Sequence, residues 1–550
     1  MAFYRPPVWP SLVELFLATV ARHPDRPCFT VYDEERHSLT YAQARDKIAA
    51  VASLLTDFVK PGDKVALSGA NSPEWALAYL GILAAGAVVV PLDHQLKVDE
   101  ALRLYEVGDC VGFFADSVKF ADFQKSANAR FAWGLDADQS PSVATLDPSS
   151  EPLPPVRPSS ELAAILFTSG TMGLPKGVML THANLSSDCF LSQANLNIFP
   201  TDVFYALLPI HHSYTMLAVF IEAISVGAEI VFARKLAVTQ MLKDFKQSGV
   251  TMFLAVPLLF NKLLAGILDG VKKKGPVVYG LIRFLMAVSG VIKKTTGINP
   301  GKTIFHSVLD RASLATMRIC ISGGGPLAPS VFRQYNQLGL DFVQGYGLTE
   351  TSPILALNPV AHYKEDSVGK MIPEVELKIL DPDETGQGEI AVRGPMIMQG
   401  YYKNPEATAA VLSADGWLRT GDVGRVDNEN YLAITGRSKS LIVTEGGKNV
   451  YPEEIEFAFQ LHDDVDQVLV KGFLIDEALR SEGIEAFIYP STEHQGKPEA
   501  DLRPRFQKVI DQVNSTLLPY QRISRFTLLE EPMAMTTKRT IKRTVAQNEA

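Results

Sequence analysis

Hydrophobic and polar positions follow two different periods along this chain. Apolar residues recur at helical spacing over residues 11–22 and 41–59. A short apolar run at residues 64–67, a helical stretch at 73–85 and a second apolar run at 87–91 follow. Short apolar runs between amphipathic segments are typical of strands that alternate with helices. The pattern therefore predicts helices packed on a largely parallel sheet.

The same alternation continues to about residue 372 and then changes into short strands separated by turns. A second strand–helix pattern begins near Tyr451. We therefore predict an α/β protein with a large N-terminal domain of mixed, mostly parallel sheets and helices plus a β-rich subdomain, and a small mobile C-terminal α+β domain. The later predicted strands are 227–232, 250–255, 317–322, 375–380, 388–392, 431–435 and 440–443.

Length and one basic turn suggest the domain boundaries. A chain of 550 residues exceeds a single ordinary core and is expected to divide. The Gly-Arg-Ser-Lys turn that starts at Gly436 separates the two strand–helix patterns. We predict an N-terminal domain over residues 1–436, a hinge at 437–440 and a mobile C-terminal domain over 441–550.

Composition and charge narrow the class of protein. The chain is 47% hydrophobic and 21% charged, which is typical of a globular protein with a sizeable core. A formal net charge of −9 argues against a general nucleic-acid-binding protein. The cysteines are scattered with no C-x-x-C pair, so neither a disulfide framework nor a zinc site is expected. These cysteines are Cys28, Cys110, Cys189 and Cys320.

The N-terminal residues and the apolar runs indicate in which cellular compartment the protein is expected. Pro6 and Pro7 fall where a signal peptide needs its apolar segment. No uninterrupted apolar run reaches the roughly 18 residues that a membrane-spanning helix needs. Unpaired cysteines fit a reducing compartment. The expected location is therefore the cytoplasm.

One long segment, residues 277–294, is apolar on most of its faces. Lys272 to Lys274 precede it, and Lys293 and Lys294 lie at its end. Such a segment is suited to lie on an anionic membrane surface, at the inner face of the membrane. A core helix of the large domain explains it equally well. Peripheral membrane contact through residues 277–294 is thus one of two predictions, and both a monomer and a homodimer fit the sequence.

Residues 167–177 read Phe-Thr-Ser-Gly-Thr-Met-Gly-Leu-Pro-Lys-Gly and directly follow an apolar run. Glycines let the backbone approach an anion closely, while hydroxyls, amides and an ammonium group supply donors. The stretch nearly matches the Walker A pattern, but Pro175 replaces the glycine before the lysine and Gly177 replaces the Mg²⁺-binding Ser or Thr. The alternative is an exposed Gly/Ser loop. We predict a polyphosphate loop that differs from that of the P-loop NTPases.

A second motif places Tyr346 between Gly345 and Gly347. The ring offers a flat face on which a base can stack. The Thr349–Glu350 pair that follows offers a hydroxyl to a phosphate and a carboxylate to Mg²⁺, a cation that prefers oxygen ligands. Taken alone, the motif is equally compatible with a glycine-rich turn.

Two further motifs are weaker on their own. Residues 322–326 read Ser-Gly-Gly-Gly-Pro after an apolar strand, so a planar ring could lie against bare backbone; an ordinary strand-to-helix turn explains them as well. Residues 415–422 end in Asp422, which is suited to accept hydrogen bonds from ribose hydroxyls, although an aspartate after glycine is often a turn residue. Arg437 could donate to the same sugar or to a phosphate, or be a surface arginine.

Together and in this order, these motifs resemble those of the adenylate-forming superfamily, which includes acyl-CoA synthetases, luciferases and adenylation domains of peptide synthetases. The resemblance covers nearly the whole chain. It also includes residues 208–212, 368–370 and 446–452. The branch that the chain resembles most is that of the bacterial long-chain fatty acyl-CoA synthetases.

Carried over position by position, the resemblance implies binding of ATP, Mg²⁺ and CoA. His212 would lie where the acyl carboxylate meets ATP, and Glu350 would hold Mg²⁺. Lys439 lies in the hinge, and Gly446 and Gly447 would lie beside the pantetheine arm of CoA. The implied nucleotide residues are Thr168, Ser169, Gly170, Thr171, Gly173 and Lys176 at the phosphates, Gly324, Gly325, Pro326 and Tyr346 at the base, Thr349 at the α-phosphate, and Asp422 and Arg437 at the ribose. Gln344, Gly345, Gly347 and Lys439 are further implied cofactor-binding residues.

The implied chemistry has two steps: a carboxylic acid and ATP give acyl-AMP and pyrophosphate, and CoA then takes the acyl group after the C-terminal domain rotates. The family places a lysine near the C-terminus that bridges the carboxylate and the α-phosphate. Thr540 occupies that position here. Either Lys538 or Lys542 supplies the charge, or the chain is a variant, or adenylation is weak.

Several substrate classes and functions remain open at this point. The apolar segments favour a fatty acid, but a medium-chain, alicyclic or aromatic acid would also fit. A luciferase-like enzyme or an acyl-AMP ligase that does not use CoA would share the nucleotide residues. A regulator that binds acyl groups or nucleotide without turnover would fit Thr540.

Overall fold

The computed structural model describes residues 5–6, 8–168, 175–234, 237–444, 448–460, 462–476, 481–535, 541 and 543. The strands are β1 (Pro27–Tyr32), β2 (Arg36–Thr40), β3 (Lys64–Ser68), β4 (Val88–Leu92), β5 (Cys110–Ala115), β6 (Phe131–Gly134), β7 (Leu162–Thr168), β8 (Lys176–Thr181), β9 (Val203–Ala206), β10 (Glu229–Phe232), β11 (Met252–Ala255), β12 (Ile319–Ser322), β13 (Asp341–Gly347), β14 (Ile354–Leu357), β15 (Gly369–Met371), β16 (Glu376–Leu380), β17 (Gly388–Arg393), β18 (Gly400–Tyr401), β19 (Leu418–Val426), β20 (Tyr431–Arg437), β21 (Ile442–Val443), β22 (Asn449–Val450), β23 (Val465–Asp476), β24 (Ser481–Pro490) and β25 (Arg525–Leu528).

The helices are α1 (Leu12–Arg22), α2 (Tyr41–Leu55), α3 (Pro73–Ala84), α4 (Val98–Val107), α5 (Phe120–Ser126), α6 (His182–Ser192), α7 (Ser213–Thr215), α8 (Glu222–Val226), α9 (Val238–Ser248), α10 (Pro257–Lys272), α11 (Pro276–Thr296), α12 (Gly301–Ile304), α13 (His306–Arg311), α14 (Pro329–Gln337), α15 (Pro405–Ala409), α16 (Pro452–Glu456) and α17 (Glu499–Thr516). A π-helical segment, Met216–Ile221, joins α7 to α8.

Two large sheets carry the N-terminal part of the described chain. One has thirteen strands in the order β16-β17-β19-β20-β15-β14-β13-β12-β11-β9-β10-β1-β2, and the other has seven in the order β18-β8-β7-β4-β3-β5-β6. Their central strands are parallel: β12 pairs with β11 and β13, and β3 pairs with β4 and β5. The predicted α/β class is confirmed.

The β-rich region is the antiparallel end of the thirteen-stranded sheet. Strand β13 pairs in parallel with β12 as far as Gln344 and then antiparallel with β14 from Gly345 onward. The strands beyond it, β14 to β17, β19 and β20, all pair antiparallel. The region predicted as a subdomain is therefore continuous with the main sheet, and the motif around Tyr346 lies where the strand direction changes.

The core explains why some helices are apolar on every side. Helix α3 follows an N-cap in which Ser72 accepts a hydrogen bond from Trp75 N, and every residue from Trp75 to Ala84 is buried. A helix that is hydrophobic all round has to be enclosed. The largest apolar cluster joins α1, α3, α6 and the π-helical segment to strands of both large sheets.

Several predicted boundaries need correction: β10, β11 and β12 each begin two residues later than predicted, and two further shifts have a local cause. Helix α2 ends at Leu55 rather than at residue 59, because the Thr56 hydroxyl donates to Ala52 O and Ser53 O and competes for the last carbonyls. The strand predicted at 440–443 begins at Ile442, because Ser438–Ser440 form a short helical turn.

From Ile442 onward the described strands form two small sheets, β21-β22 and β23-β24-β25. They have their own apolar core, in which Phe506 and Ile510 of α17 pack with Ile484 and Ile488 of β24. Arg437 is the last residue of β20 in the large sheet. The predicted hinge at 437–440 thus falls between two separate cores, and its motion stays a prediction.

The segment at 277–294 forms most of α11, and the prediction of a core helix is wrong. Only 17% of its apolar window is buried. The expectation that no segment is long and apolar enough to span a membrane also needs correction. Among the described residues, α11 alone meets that test, with 21 residues and a mean hydropathy of 1.5.

Candidate functional site

A cavity of about 2520 Å³ opens at the carboxyl ends of β9, β11, β12 and β13. In open α/β sheets, ligands bind at this edge, because loops from several strands converge there. Every predicted site residue that the structure describes lines this cavity. These residues are Thr168, Lys176, His212, Gly324, Gly325, Pro326, Gln344, Gly345, Tyr346, Gly347, Thr349, Glu350, Asp422, Arg437 and Lys439.

The ends of the predicted phosphate loop meet at the cavity wall. Thr168 ends β7, Lys176 begins β8, and the two residues are paired in the antiparallel register. The Thr168 hydroxyl donates to Lys176 O at 3.4 Å. The predicted contacts of Ser169, Gly170, Thr171 and Gly173 lie outside the described residues. The loop is therefore carried by a paired hairpin, and its phosphate contacts stay a prediction.

The backbone after β12 is bare because side chains do not fit there. A Cβ on Gly323 would come within 2.8 Å of the Tyr214 ring. Gly324 has a φ of +75°, a conformation that L side chains rarely adopt. Tyr214 is itself held by a hydrogen bond from its hydroxyl to Ile321 O, at 3.2 Å. This wall can accept a flat ring against the main chain.

A second part of the cavity wall carries Tyr346, followed by Gly347. A Cβ on Gly347 would fall 1.7 Å from Pro353 O, so only glycine fits. The Tyr346 hydroxyl donates to Asp422 Oδ2 at 2.7 Å, which fixes the ring. The two glycine-rich motifs therefore form two walls of one cavity.

Asp422 links Tyr346 to the predicted hinge. It pairs with Arg437 across β19 and β20, and Arg437 Nε lies 3.2 Å from Asp422 Oδ1. Burial raises the pKa of Asp422 above its ordinary value, against the opposing effect of the Arg437 charge. The carboxylate is therefore an acceptor that is already partly desolvated before a ligand binds.

Thr349 and Glu350 lie in the short helical turn Thr349–Thr351, directly after β13. Glu350 Oε1 accepts a hydrogen bond from the Tyr401 hydroxyl at 2.9 Å. The Thr349 and Ser213 hydroxyl oxygens are 3.2 Å apart. A carboxylate beside hydroxyl oxygens is the kind of donor set that a hard cation prefers, so these residues fit Mg²⁺.

Sequence reasoning missed Tyr401. It belongs to β18, which pairs with β8, the strand after the phosphate loop. Its ring lies 4.7 Å from Lys176 Nζ, in cation–π geometry, while its hydroxyl bonds to Glu350. The signal was a Gly-Tyr pair, Gly400–Tyr401, like the one at 345–346.

His212 precedes α7 and lines the cavity, and its ring centroid is 4.1 Å from that of His211. Beyond it, the wall becomes mostly apolar. The apolar lining includes Leu196, Leu208, Ala218, Leu254, Val256 and Ile321.

One buried acid interrupts the apolar wall and was also missed. The Ser192 hydroxyl donates to Glu222 Oε1 at 2.6 Å, and both residues are buried. Burial raises the pKa of Glu222 to about 8, so this side chain is largely protonated at neutral pH. It therefore adds little charge to the pocket.

The C-terminal residues reach the same cavity. Met535 and Ile541 pair as an isolated bridge, and both line the cavity. Arg543 bonds to Glu456 at 2.7 Å. Thr540 and the predicted residues Lys538, Lys542, Gly446 and Gly447 lie outside the described residues.

Known proteins match the chain over most of its length. The family model described as AMP-binding enzyme matches residues 16–402, and that of the AMP-binding enzyme C-terminal domain matches residues 439–550. A long-chain-fatty-acid–CoA ligase of Bacillus subtilis (strain 168) is 27% identical over 531 residues, which cover 87% of this chain and 85% of the relative.

Two further proteins agree. The long-chain-fatty-acid–CoA ligase FadD15 of Mycobacterium tuberculosis is 31% identical over 487 residues, which cover 82% of this chain and 78% of the relative. The crystal structure of ATP-bound MatB from Rhodopseudomonas palustris is 25% identical, with a TM-score of 0.77 and 98% of each chain covered. The cavity's two glycine-rich walls and these matches lead to one conclusion: the chain belongs to the AMP-binding enzyme family and, within it, to the acyl-CoA synthetase branch of the adenylate-forming superfamily.

Proposed function

We propose that this protein activates a fatty acid with ATP and transfers the acyl group to CoA, giving acyl-CoA, AMP and pyrophosphate. The observation that carries the proposal is that a single cavity joins the nucleotide-type residues, His212 and an apolar wall. The relatives that are named long-chain-fatty-acid–CoA ligases support the same substrate class.

In the first proposed step, a carboxylate oxygen bonds to the α-phosphorus of ATP while the bond to the bridging oxygen breaks and pyrophosphate leaves. The protein contributes position and charge: Lys176 and Thr168 lie at the phosphates and His212 beside the carboxylate. Glu350 is the proposed ligand of Mg²⁺, which supplies positive charge next to the phosphates. Asp422 and Arg437 hold the ribose.

In the second proposed step, the CoA thiol loses its proton to solvent, the sulfur bonds to the acyl carbon and AMP leaves. The domain over residues 441–550 turns about the hinge at 437–440, which places Gly446 and Gly447 beside the pantetheine arm. Lys439 is exposed, lies in the hinge and lines the cavity. A rotation at this residue therefore changes which face of the C-terminal domain meets the cavity.

The test is a pyrophosphate-release assay with acids from acetate to palmitate and with benzoate, each with and without CoA. Each methylene buried against the apolar wall contributes about 0.8 kcal/mol, so kcat/KM is expected to rise about threefold to fourfold per methylene until the pocket is full. His212→Ala is expected to lower the rate strongly, whereas His37→Ala, at an exposed position on β2, is the matched control.

Three results would contradict the proposal. Best turnover with benzoate or acetate would point to an aromatic or short-chain acid. Pyrophosphate release without formation of acyl-CoA would point to an acyl-AMP ligase. ATP binding without turnover of any acid would point to a regulator.

We also propose a cytoplasmic location. The four cysteines are free and buried, and burial raises the pKa of the Cys320 thiol to about 12. Such thiols are structural and need no oxidising compartment. Fractionation of cells that express the full chain would test this, and recovery outside the cytoplasm and the membrane fraction would contradict it.

A further inference from the structure

Helix α11 presents a row of apolar side chains to solvent. Val277 is 82% exposed, Leu281 56%, Phe284 65% and Val291 63%. Spacings of three, four and seven residues place these positions on one face of the helix. A large exposed apolar patch of this kind marks an interaction site.

The opposite face fixes the helix to the fold. Met286, Ser289 and Lys293 are buried. Lys293 Nζ donates to Asn336 Oδ1 and to Asp341 Oδ1, each at 2.8 Å. A helix anchored along one side by a buried lysine cannot cross a bilayer as an isolated span. It can lie in the plane of a surface with its apolar row facing outward.

The sequence from the end of α10 to the end of α13 is basic, although the whole chain has a net charge of −9. Between positions 272 and 311 there are eight basic residues and one acidic residue, Asp310. Lys293 and Lys302 are paired with Asp341, and Lys272 with Asp269 and Asp463, so the exposed side chains of Lys273, Lys274 and Arg283 carry the positive charge beside the apolar row. Exposed positive charge beside an apolar surface favours an anionic partner. The basic residues are Lys272, Lys273, Lys274, Arg283, Lys293, Lys294, Lys302 and Arg311.

We propose that α11 docks this protein on the surface of an anionic lipid bilayer, with the apolar row in the headgroup–acyl boundary and Lys273, Lys274 and Arg283 at the lipid phosphates. The helix of 21 residues gives a contact roughly 30 Å long. Ile298 and Ile304, 65% and 46% exposed, extend the apolar surface past the helix end.

A second copy of the chain is the alternative partner for the apolar row of α11, because the row has the spacing of a helix–helix contact. An antiparallel pair of α11 helices would place Lys273 and Lys274 of one copy near Lys294 of the other. Like charges would then face each other across the contact. Anionic lipid removes that repulsion, so charge favours the membrane.

The docking face is connected to the cavity through α10. This helix packs against α11, and its Leu258, Asn261 and Ala265 line the cavity. Docking stands independently of the proposed reaction, because it is measured without substrates. If the reaction is as proposed, docking also brings the pocket close to the compartment that dissolves apolar acids.

The experiment is co-sedimentation of the full chain with vesicles of phosphatidylcholine alone and with vesicles that contain about a third phosphatidylglycerol. Binding is expected to the anionic vesicles only and is expected to weaken as salt increases. The double variant Leu281→Asp/Phe284→Asp is expected to bind at least tenfold more weakly. Lys273→Glu/Lys274→Glu is expected to weaken binding several-fold.

The matched control is Leu474→Asp/Ile475→Asp, which adds the same charge at two apolar side chains of β23 that are 58% and 56% exposed. It is expected to bind like the original chain, and thermal unfolding checks that all variants fold. Equal binding of the α11 variant and the control would overturn the proposal. So would equal binding to neutral vesicles, or a dimer in light scattering that the α11 substitutions dissociate.

Discussion

At the scale of single residues, Tyr401 connects Lys176, at the end of the predicted phosphate loop, with Glu350. Its ring lies under the Lys176 ammonium group, and its hydroxyl donates to the Glu350 carboxylate. One side chain thus contacts both Lys176, the proposed cation at the phosphates, and Glu350, the proposed ligand of Mg²⁺. A hydrogen bond to a charged group typically contributes about 1.5–3 kcal/mol.

Tyr401→Phe is therefore expected to lower the rate of pyrophosphate release about tenfold and to raise the Mg²⁺ concentration needed for the half-maximal rate. The neighbouring Tyr402→Phe is the matched control, because the Tyr402 hydroxyl donates instead to Asp109, at 2.6 Å. Initial rates over a Mg²⁺ titration measure both effects. Equal rates for the two variants would show that Tyr401 does not position Glu350.

A second prediction concerns Thr540, which occupies the position of the lysine expected from the family resemblance. If no lysine supplies the positive charge between the carboxylate and the α-phosphate, Thr540→Lys is expected to speed pyrophosphate release at least tenfold. Thioester formation from added acyl-AMP is expected to stay unchanged. If Lys538 or Lys542 supplies the charge, alanine at that lysine abolishes adenylation and Thr540→Lys gains nothing. Single-turnover measurements of each half-reaction distinguish these outcomes.

At the scale of elements, the junction between α6 and α8 contains the buried acid Glu222, and α6 carries a second buried acid, Asp188. Glu222 accepts from Ser192, and Asp188 Oδ2 accepts from Ile354 N of β14 at 2.8 Å. Burial raises the pKa of both carboxyl groups. Packing of these helices therefore favours the neutral acids.

The stability of this junction is expected to depend on pH. The pKa of Glu222 is raised from 4.5 to about 8, so its stabilising effect is complete below the unfolded value and is lost as pH rises towards about 8. The free energy of unfolding of the original chain should fall over this window relative to Glu222→Gln, by up to about 1.4 kcal/mol per pH unit. Thermal unfolding between about pH 5 and pH 9 measures the difference.

The exposed Glu406→Gln serves as the control. Its curve of unfolding free energy against pH should run parallel to that of the original chain. A Glu222→Gln curve that also runs parallel would show that the acid is not neutral in the fold.

At the scale of the whole molecule, polar contacts hold the C-terminal domain against residues 326–328, which follow β12. Ala328 N donates to Gln460 Oε1 at 2.8 Å, and Gln460 Nε2 donates to Pro326 O at 3.3 Å. Lys262 of α10 pairs with Asp466 at 3.6 Å. Lys272 also pairs with Asp463 at 3.5 Å, and Phe457 packs against the apolar cluster that contains Phe260. The contact therefore combines polar and apolar side chains.

Gln460→Ala is expected to slow pyrophosphate release several-fold while thioester formation from added acyl-AMP is maintained. The reason is that the domain arrangement held by Gln460 places Met535 and Ile541 at the cavity wall. These two residues flank the run that contains Thr540, the position linked to adenylation. Gln507→Ala is the matched control, because Gln507 bonds within α17, to Asp511. Equal slowing of both half-reactions by Gln460→Ala would contradict a role specific to this arrangement.

Much of the site could be read from the order of residues alone. Local periodicity predicted β7 and β12, which deliver the phosphate loop and Gly324, because burial on both faces makes a parallel strand continuously apolar. It did not predict β13 and β19, which carry Tyr346 and Asp422. Glycines at Gly324 and Gly347 marked places where the backbone has a positive φ or meets another chain segment closely. Such signals lie within one motif, so they need no knowledge of distant neighbours.

The contacts between motifs came only from the tertiary structure. Tyr401 lies 51 residues from Glu350, and Glu222 lies 30 residues from Ser192; nothing local predicts either pair. Whether residues 277–294 are buried or exposed also depended on what packs against them, since an apolar helix has the same sequence in either place. The sequence determined the chemistry that each motif could offer. Tertiary packing decided which motifs share a cavity and which apolar face stays at the surface, because both depend on contacts between segments far apart in the chain.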